Sequence, residues 1–199
     1  MKRGVLFLLL IVFKLGSAQS PLLDSLSLDT MKGYSDLGLA KANPDKVLKL
    51  VLTKKKLTTF PEEIRQFKNI QYLDLSKNKL SSVPSWISEL SSLQTLILSH
   101  NDIDSLEPQI GMLKHLKWFI MNRDPLDAIP DAIGGLTELR YLDMWGDDIA
   151  YFPAALSKLT NLKEFDLRDI LINQETQTTI QSYLPKTTIF FSPACSCKN

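Results

Sequence analysis

The segment YLDLSKNKLSSVP (residues 72–84) returns in altered form as YLDMWGDDIAYFP (residues 141–153). The two copies begin 69 residues apart, which is three periods of 23, so two further copies are expected between them. Both are present, and six units without insertion or deletion begin at Val47, Ile70, Leu93, Leu116, Leu139 and Leu162. A fixed period of about 20 to 50 residues predicts a solenoid, in which every unit adopts the same fold.

Apolar residues recur at fixed places within each unit. The residues three and five after each start are apolar in all six units, and polar residues often stand between them, as in a strand buried on one face. The second half spaces its apolar residues three apart, for example Ile87 and Leu90. Prolines, which the first turn of a helix tolerates, precede this half in four units: Pro61, Pro84, Pro130 and Pro153. Each unit therefore predicts a short strand, a turn and a short helix.

The unit reads LxxLxLxxNxLxxLPxxIxxLxx and, over residues 47–172, resembles the leucine-rich repeat family in its typical 23-residue form. Its LPxxIxxL half is similar to repeats of the Ras group and of many bacterial extracellular proteins, so the chain resembles a secreted, bacterial-type member. The resemblance implies an α/β solenoid, with a curved parallel sheet on the concave side and short helices on the convex side. It also implies a non-catalytic role in binding a protein partner.

The family's asparagine position, eight residues after each start, is only partly kept. It holds Lys55, Asn78, Asn101, Asp124, Asp147 and Ile170. In the family this amide both donates and accepts hydrogen bonds between turns, whereas an ionised aspartate can only accept them. We therefore expect the later turns to be looser, or bonded differently.

The first 18 residues are typical of a secretory signal peptide. Lys2 and Arg3 precede an apolar run from Gly4 to Phe13, and small residues lead to a predicted cleavage after Ala18. The run has ten residues, and a membrane-spanning helix needs roughly 20. An uncleaved anchor is the alternative. We expect the mature chain to lie in the periplasm, on the cell surface or in the medium, without a membrane span.

The ends of a solenoid expose its core unless they are capped. Residues 19–46 are expected to form a helical N-terminal cap, in which Ser35 caps a helix from about Asp36 to Ala42 and Tyr34 packs against Leu39. Residues 20–33 are ambiguous.

Residues 173–199 are expected to form the C-terminal cap. In this cap Asn173 begins a helix from Gln174 to Tyr183, and a last strand follows at residues 187–191.

Composition gives no support for several classes of partner. Without residues 1–18 the chain has 20 Lys and Arg against 22 Asp and Glu, so neither nucleic acid nor an anionic membrane surface is expected as a partner. No cofactor is predicted.

Cys195 and Cys197 lie in the terminal SPACSCKN. A secreted setting permits a disulfide, but a spacing of two residues makes a tight ring of demanding geometry. A bridge between the two, free thiols and an intermolecular bond remain open. Two thiolates lack the further ligands that zinc prefers, so no metal site is predicted.

Ser99, His100 and Asp102 superficially suggest a hydrolase. Adjacent residues of a strand point to opposite faces, whereas a catalytic triad needs its members to converge, so no catalytic residue is predicted. His115 has no evident partner.

The concave face is the predicted functional surface. Residues two, four and six after each start point away from the core, and residue seven follows where the strand ends. The residues predicted to contact a partner are Tyr72, Ile97, Trp118, Ile120, Tyr141, Asp143 and Trp145. A basic margin lies beside them, formed by Lys54, Lys77, His100 and Arg123.

Aromatic anchors within polar surroundings favour a protein partner. The alternatives are a glycan or cell-wall polymer bound by the same aromatic patch, and a purely structural spacer. Trp86 on the convex side is a lesser candidate contact.

Overall fold

In the computed structural model, which describes residues 20–195, parallel strands stack in chain order into one seven-stranded sheet. The strands are β1 (Lys49–Val51), β2 (Tyr72–Asp74), β3 (Thr95–Ile97), β4 (Trp118–Ile120), β5 (Tyr141–Asp143), β6 (Glu164–Leu167) and β7 (Thr188–Phe191). From β1 to β6 each strand begins 23 residues after the last and pairs with its neighbour in register. The predicted solenoid is therefore confirmed, and each repeat contributes one strand.

The convex side is built from short 3₁₀ helices. They span Glu62–Gln66, Ser85–Glu89, Pro108–Met112, Asp131–Gly135 and Ala154–Lys158. Side chains three apart fall on the same side of a 3₁₀ helix, which explains the period of three in this half of the repeat. Ile87 and Leu90 accordingly both lie in the core, with exposed fractions of 1% and 0%.

Four prolines lie directly ahead of these helices. Pro61, Pro84, Pro130 and Pro153 occupy the cap position with extended backbone, and the first helical residue follows them. In this place the carbonyl group of each proline accepts the first helical hydrogen bond, as that of Pro84 does from the N–H of Ile87 at 3.0 Å.

Glycines bring the convex helices of the third, fourth and fifth turns close together. Between the third and fourth turns, a β-carbon added to Gly111 would overlap the carbonyl oxygen of Ala132, and one added to Gly135 would overlap that of Gly111. Between the fourth and fifth turns, one added to Gly134 would lie 2.8 Å from the carbonyl oxygen of Ala155. The backbones of these turns are therefore in direct contact on the convex side.

The N-terminal cap differs from the prediction in its details. Its helices are α1 (Ser25–Thr30) and α2 (Leu37–Lys41), and the cap of α2 is Asp36, whose side chain accepts from the N–H of Leu39 at 2.9 Å. The predicted cap at Ser35 is thus wrong by one residue. Leu39 is 68% exposed, and Tyr34 pairs with Leu50 of β1, so the predicted contact with Tyr34 buries little of Leu39.

Residues 20–30, which we call the N-terminal strap, run along the edge of the sheet where the strands begin. The side-chain amide of Gln71 donates to the carbonyl oxygen of Pro21 at 2.9 Å and accepts from the N–H of Leu23 at 2.8 Å. The amide of Gln94 donates to the carbonyl oxygen of Leu23 at 2.9 Å. Both glutamines are fully buried, so the strap closes this edge of the second and third turns.

The C-terminal cap matches the prediction. Helix α3 (Gln174–Tyr183) begins after Asn173, whose side chain accepts from the N–H of Thr176 at 2.8 Å, and β7 then extends the sheet. Cys195 is disulfide-bonded, and its N–H donates to the carbonyl oxygen of Ile172 at 3.2 Å. Cys197 lies outside the described residues, as does the signal peptide, so the bridge within the tail stays a prediction.

A ladder of side chains runs through the turns at the asparagine position. Asn78 donates to the carbonyl groups of Leu52 and Leu75, both at 2.8 Å, and accepts from the N–H of Lys55 at 2.8 Å. Asn101 bonds in the same way: it donates to the carbonyl groups of Leu75 and Leu98 and accepts from the N–H of Leu80. Each amide therefore joins two successive turns through both its nitrogen and its oxygen.

The ladder is bonded differently where aspartates replace the asparagines. One oxygen of Asp124 accepts from Ile103 at 3.1 Å, and one oxygen of Asp147 accepts from the N–H of Asp124 at 2.9 Å. The second oxygen of each carboxyl is buried and has no hydrogen-bond partner within the described residues. Burial raises the pKa of Asp124 to about 7 and that of Asp147 to about 8. The expectation of ionised aspartates is therefore wrong below neutral pH, where the proton restores a donor.

Leu98→Ala tests the assignment of buried and concave positions. Leu98 is fully buried, so the substitution should lower the free energy of unfolding by about 2 to 5 kcal/mol. Ser99→Ala should cost little, because the Ser99 hydroxyl has no hydrogen-bond partner within the described residues. Urea unfolding measures both, and equal midpoints for the two variants would contradict the assignment.

The aspartate ladder predicts that stability falls as pH rises. An aspartate in the unfolded chain has a pKa near 4, so the folded chain binds more protons between about pH 4 and the raised values of about 7 and 8. The contribution of these two carboxyl groups to the free energy of unfolding is complete below about pH 4, and it is lost as pH rises through their pKa values in the folded state.

Asp147→Asn isolates this effect from the other carboxylates. The new amide should donate to the carbonyl groups of Met121 and Met144, and should raise stability at pH 8 by roughly 1 to 3 kcal/mol, the usual cost of an unsatisfied buried group. At pH 5 the gain should be much smaller. Urea midpoints at both pH values measure the difference, and an equal gain at pH 5 and pH 8 would contradict a role for the proton.

Candidate binding surface on the concave face

Four of the seven predicted contact residues form one continuous surface, which we call the central patch. Trp118 and Tyr141 are paired neighbours on β4 and β5, and Ile97 and Ile120 are paired neighbours on β3 and β4. Trp118 and Ile120 point to the same face of one strand, since side chains alternate along it. All four are partly exposed, so the patch presents two aromatic rings and two aliphatic side chains to solvent.

Two polar groups of the central patch are not used by the fold. Within the described residues, neither the indole N–H of Trp118 nor the hydroxyl of Tyr141 has a hydrogen-bond partner in the structure. Burial raises the pKa of Tyr141, and the carboxylates of Asp143 and Asp166 raise it further, so this hydroxyl keeps its proton. The patch can therefore bury apolar area and also form hydrogen bonds with a ligand.

Trp145 borders the central patch and is held in place from three sides. Its backbone N–H donates to the Asp143 side chain at 3.0 Å, and its indole N–H donates to Asp169 at 2.8 Å. The Arg123 guanidinium lies 4.1 Å from the centre of its ring. Trp145 thus needs no rearrangement to present its remaining surface to a ligand.

Asp143 has a structural role that the sequence did not reveal. One of its carboxyl oxygens accepts from the N–H of Trp145, and the other accepts from the side chain of Asn122 at 2.7 Å. Burial raises the pKa of Asp143, and these hydrogen bonds oppose the rise. Asp74 and Asp166 likewise accept from the N–H two residues on, at 2.9 and 3.1 Å. Aspartate four residues after the repeat start therefore closes the strand end.

Tyr72 is separated from the central patch. The Lys49 ammonium lies 4.2 Å from the centre of the Tyr72 ring and donates to the carbonyl oxygens of Leu28 and Asp29, at 2.8 and 2.9 Å. Thr95, which is buried, stands between Tyr72 and Trp118 in the sheet. The N-terminal strap therefore occupies this end of the concave face. The repeat pattern does not predict this contact, because the strap lies outside the repeats.

Arg168 and β7 complete the far end of the concave face. The Arg168 guanidinium holds the Asp166 carboxylate at 3.0 and 2.5 Å and lies 5.7 Å from the centre of the Phe190 ring. A cleft of about 420 Å³ opens beside it, lined by Trp145, Asp169 and Phe191.

The structure does not bring Ser99, His100 and Asp102 together as a catalytic triad. The Ser99 hydroxyl is buried and has no hydrogen-bond partner within the described residues, whereas His100 and Asp102 are exposed. Among residues 20–195, no three His, Cys, Asp or Glu side chains converge as metal ligands.

Two further side chains turn out to support the fold. His115 does have a partner, because its ring lies 2.9 Å from the carboxylate of Glu138 on the next turn. Trp86 donates to Glu62 at 3.0 Å and meets Phe60 edge to face, with ring centres 6.0 Å apart. Trp86 thus packs onto the preceding turn of the convex side.

A family model described as a leucine-rich repeat region matches residues 40–187. Among solved structures, a leucine-rich repeat protein of Leptospira interrogans is 33% identical, with a TM-score of 0.72 over 74% of this chain and 38% of that one. An internalin of Listeria monocytogenes is 19% identical, with a TM-score of 0.64 over 77% of this chain and 44% of that one. At this identity the internalin shows a likeness of fold alone.

A plant peptide hormone receptor, solved in complex with RGF2, is 28% identical, with a TM-score of 0.61. The match covers 74% of this chain and 24% of the receptor. This chain thus spans less than half the length of each of these three proteins. No curated protein sequence is significantly similar to it. Within residues 20–195, every helix is too short or too polar to span a bilayer.

Proposed function

Because the chain belongs to the leucine-rich repeat family, we propose that it is a non-catalytic module that binds a protein partner through its concave face. The observation that carries this proposal is the central patch, in which Trp118, Tyr141 and two isoleucines form one partly exposed surface. A soluble domain that exposes contiguous apolar area commonly has a partner that covers it.

The composition of the patch supports a protein partner over a small ligand. Tryptophan and tyrosine are the residues that contribute most to the binding energy of protein interfaces, because they bury large areas and keep a polar group for hydrogen bonding. The unused N–H of Trp118 and hydroxyl of Tyr141 fit this description. The curved sheet is open rather than enclosed, which suits a protein surface or an extended peptide.

A glycan is the second candidate, and the cleft beside Trp145 is the observation that favours it. The cleft combines an aromatic ring with the charged groups of Arg168 and Asp169, and sugars bind to such combinations of apolar face and hydrogen-bonding groups. Testing the purified protein on a glycan array distinguishes the candidates. Binding that is lost in Trp145→Ala but kept in Trp118→Ala would favour the glycan.

Replacing the aromatic residues tests the proposed site. Once a partner has been captured on the purified protein, Trp118→Ala and Trp145→Ala should each weaken binding by roughly 2 kcal/mol or more, as central residues of interfaces do. Calorimetry of wild type and variants measures the loss, and thermal unfolding should change little for Trp118→Ala because its side chain is partly exposed.

Trp86→Ala provides the matched control. Trp86 packs on the convex side against Phe60, so its replacement should leave affinity intact. If the two concave variants bound normally and Trp86→Ala failed to bind, the working surface would be the convex side.

We further propose that the chain is exported and acts outside the cytoplasm. The proposal rests on residues 1–18, with their basic start, short apolar run and small residues before Ala18. The mature protein should therefore begin at Gln19, and intact mass measurement after expression in a bacterial host with a signal peptidase would show it. A mature protein that retains Met1 would contradict the secretory interpretation and support an uncleaved anchor.

A further inference from the structure

A row of basic side chains borders the concave face where the strands end. We call it the cationic rim, and it consists of Lys54, Lys77, His100 and Arg123, one from each of the first four turns. All four are exposed. Since neighbouring strands lie about 4.8 Å apart, the rim is a line of roughly 15 Å that runs across the strands.

The backbone of the rim is unfavourable for the side chains that it carries. All four residues adopt the left-handed conformation, with φ between 57° and 58°. Gly146 occupies the same place in the fifth turn with φ of 70°, and glycine adopts this conformation without the steric cost that other residues meet. Side chains kept in spite of such strain commonly serve a function other than folding.

The rim has no anionic partner of its own. Within residues 20–195, none of its four side chains forms an ion pair. The positive charges of Arg123 and Lys77 add to burial in lowering the pKa of His100. His100 is therefore uncharged at neutral pH, and the positive charge of the rim comes from Lys54, Lys77 and Arg123. Lys55, Lys56 and Lys79 are also exposed beside the first two turns and add to the positive field.

The rim and the central patch belong to one surface. The Arg123 guanidinium stacks 4.1 Å from the ring of Trp145, which borders the patch. Asp74, Asp143 and Asp166 lie in the same row across the strands as Ile97 and Ile120 of the patch. A ligand that covers both regions therefore meets positive charge along one margin and, in the centre, apolar side chains flanked by carboxylates.

We propose that the partner of the concave face is a polypeptide that places a line of acidic side chains on the cationic rim while its apolar residues cover the central patch. This inference rests on the proposed function, because it names the chemistry of that same partner. A uniformly charged polyanion does not fit, since the carboxylates of this row and the exposed Asp102, Asp104, Asp127 and Asp148 of the third to fifth turns repel it. A polypeptide can confine its acidic residues to one edge.

A displayed library of random peptides tests the inference with a defined probe. Peptides selected on the purified protein should be enriched in Asp and Glu together with aromatic or aliphatic residues. The double variant Lys54→Glu/Lys77→Glu should bind them about tenfold more weakly, because two attractive contacts become repulsive, and raised salt should weaken wild-type binding. Neither lysine contacts Trp145, so the patch stays intact in this variant.

Lys158→Glu/Lys163→Glu is the matched control, with the same change of net charge at exposed residues away from the rim. It should bind the selected peptides as wild type does. Selected peptides without acidic enrichment, or equal affinity of the two double variants, would overturn the inference. Heparin that competes for the same surface as tightly as the selected peptides would overturn the choice of a polypeptide.

Trp118→Ala separates this inference from the proposed function. If Trp118→Ala loses binding and the rim variant does not, the concave face binds its partner without the rim, and the inference fails alone. If the rim variant loses binding and Trp118→Ala does not, the partner is acidic but is not bound by the central patch, and the proposed site is wrong. Loss in both variants, with the control unchanged, is the expected result.

Discussion

Each turn of this solenoid depends on its neighbours to satisfy its backbone and bury its leucines. A strand of three residues has no stable sheet of its own, and its N–H and C=O groups pair only with the strands on either side. A shift of one residue between two turns would move every core side chain to the concave face. This constraint accounts for the unbroken period of 23 residues from Val47 onward, because an insertion would displace the side chains of every later turn.

The same constraint organises the surface into rows that run across the strands. A residue type repeated at one place in the repeat becomes a line of side chains, as with the cationic rim and with Asp74, Asp143 and Asp166. A row can also change in character from turn to turn, and the central patch arises where aromatic and aliphatic residues replace polar ones on β3, β4 and β5. Function in such a fold therefore depends on residues that depart from the repeat, at positions that the core pattern does not constrain.

The 23-residue period predicts the features that all repeats share. It fails to predict features that depend on a contact made only once in the chain. Burial of Leu98 and pairing of Trp118 with Tyr141 follow from the register alone. The separation of Tyr72 from the patch does not, because it depends on the strap, whose bonds to Gln71 and Gln94 involve partners about 50 and 71 residues away in the chain. The hydrogen bond from the Trp145 N–H to the Asp143 side chain is not predicted by the sequence either. A carboxylate on a concave strand is equally consistent with a contact to a ligand. An aspartate in this place hydrogen-bonds to the nearby backbone as readily as to a ligand, so the sequence does not distinguish the two roles.

The turns that carry the proposed binding surface also contain the two buried carboxyl groups of the ladder that lack a full set of hydrogen bonds. Asp124 and Asp147 belong to the fourth and fifth turns, which supply Trp118, Ile120, Tyr141 and Trp145. Each holds a buried carboxyl oxygen without a partner in the described chain, where Asn78 and Asn101 use both ends of their amides. Close backbone packing joins these two turns on the convex side, where a β-carbon added to Gly134 would lie 2.8 Å from the carbonyl oxygen of Ala155. The dispersion attraction between those backbones offsets part of the loss. Proteins commonly depart from an internal rule near a functional site and compensate elsewhere. The fourth and fifth turns thus combine an incompletely bonded ladder, close packing on the convex side and aromatic residues on the concave face. This combination is a further reason to locate function there.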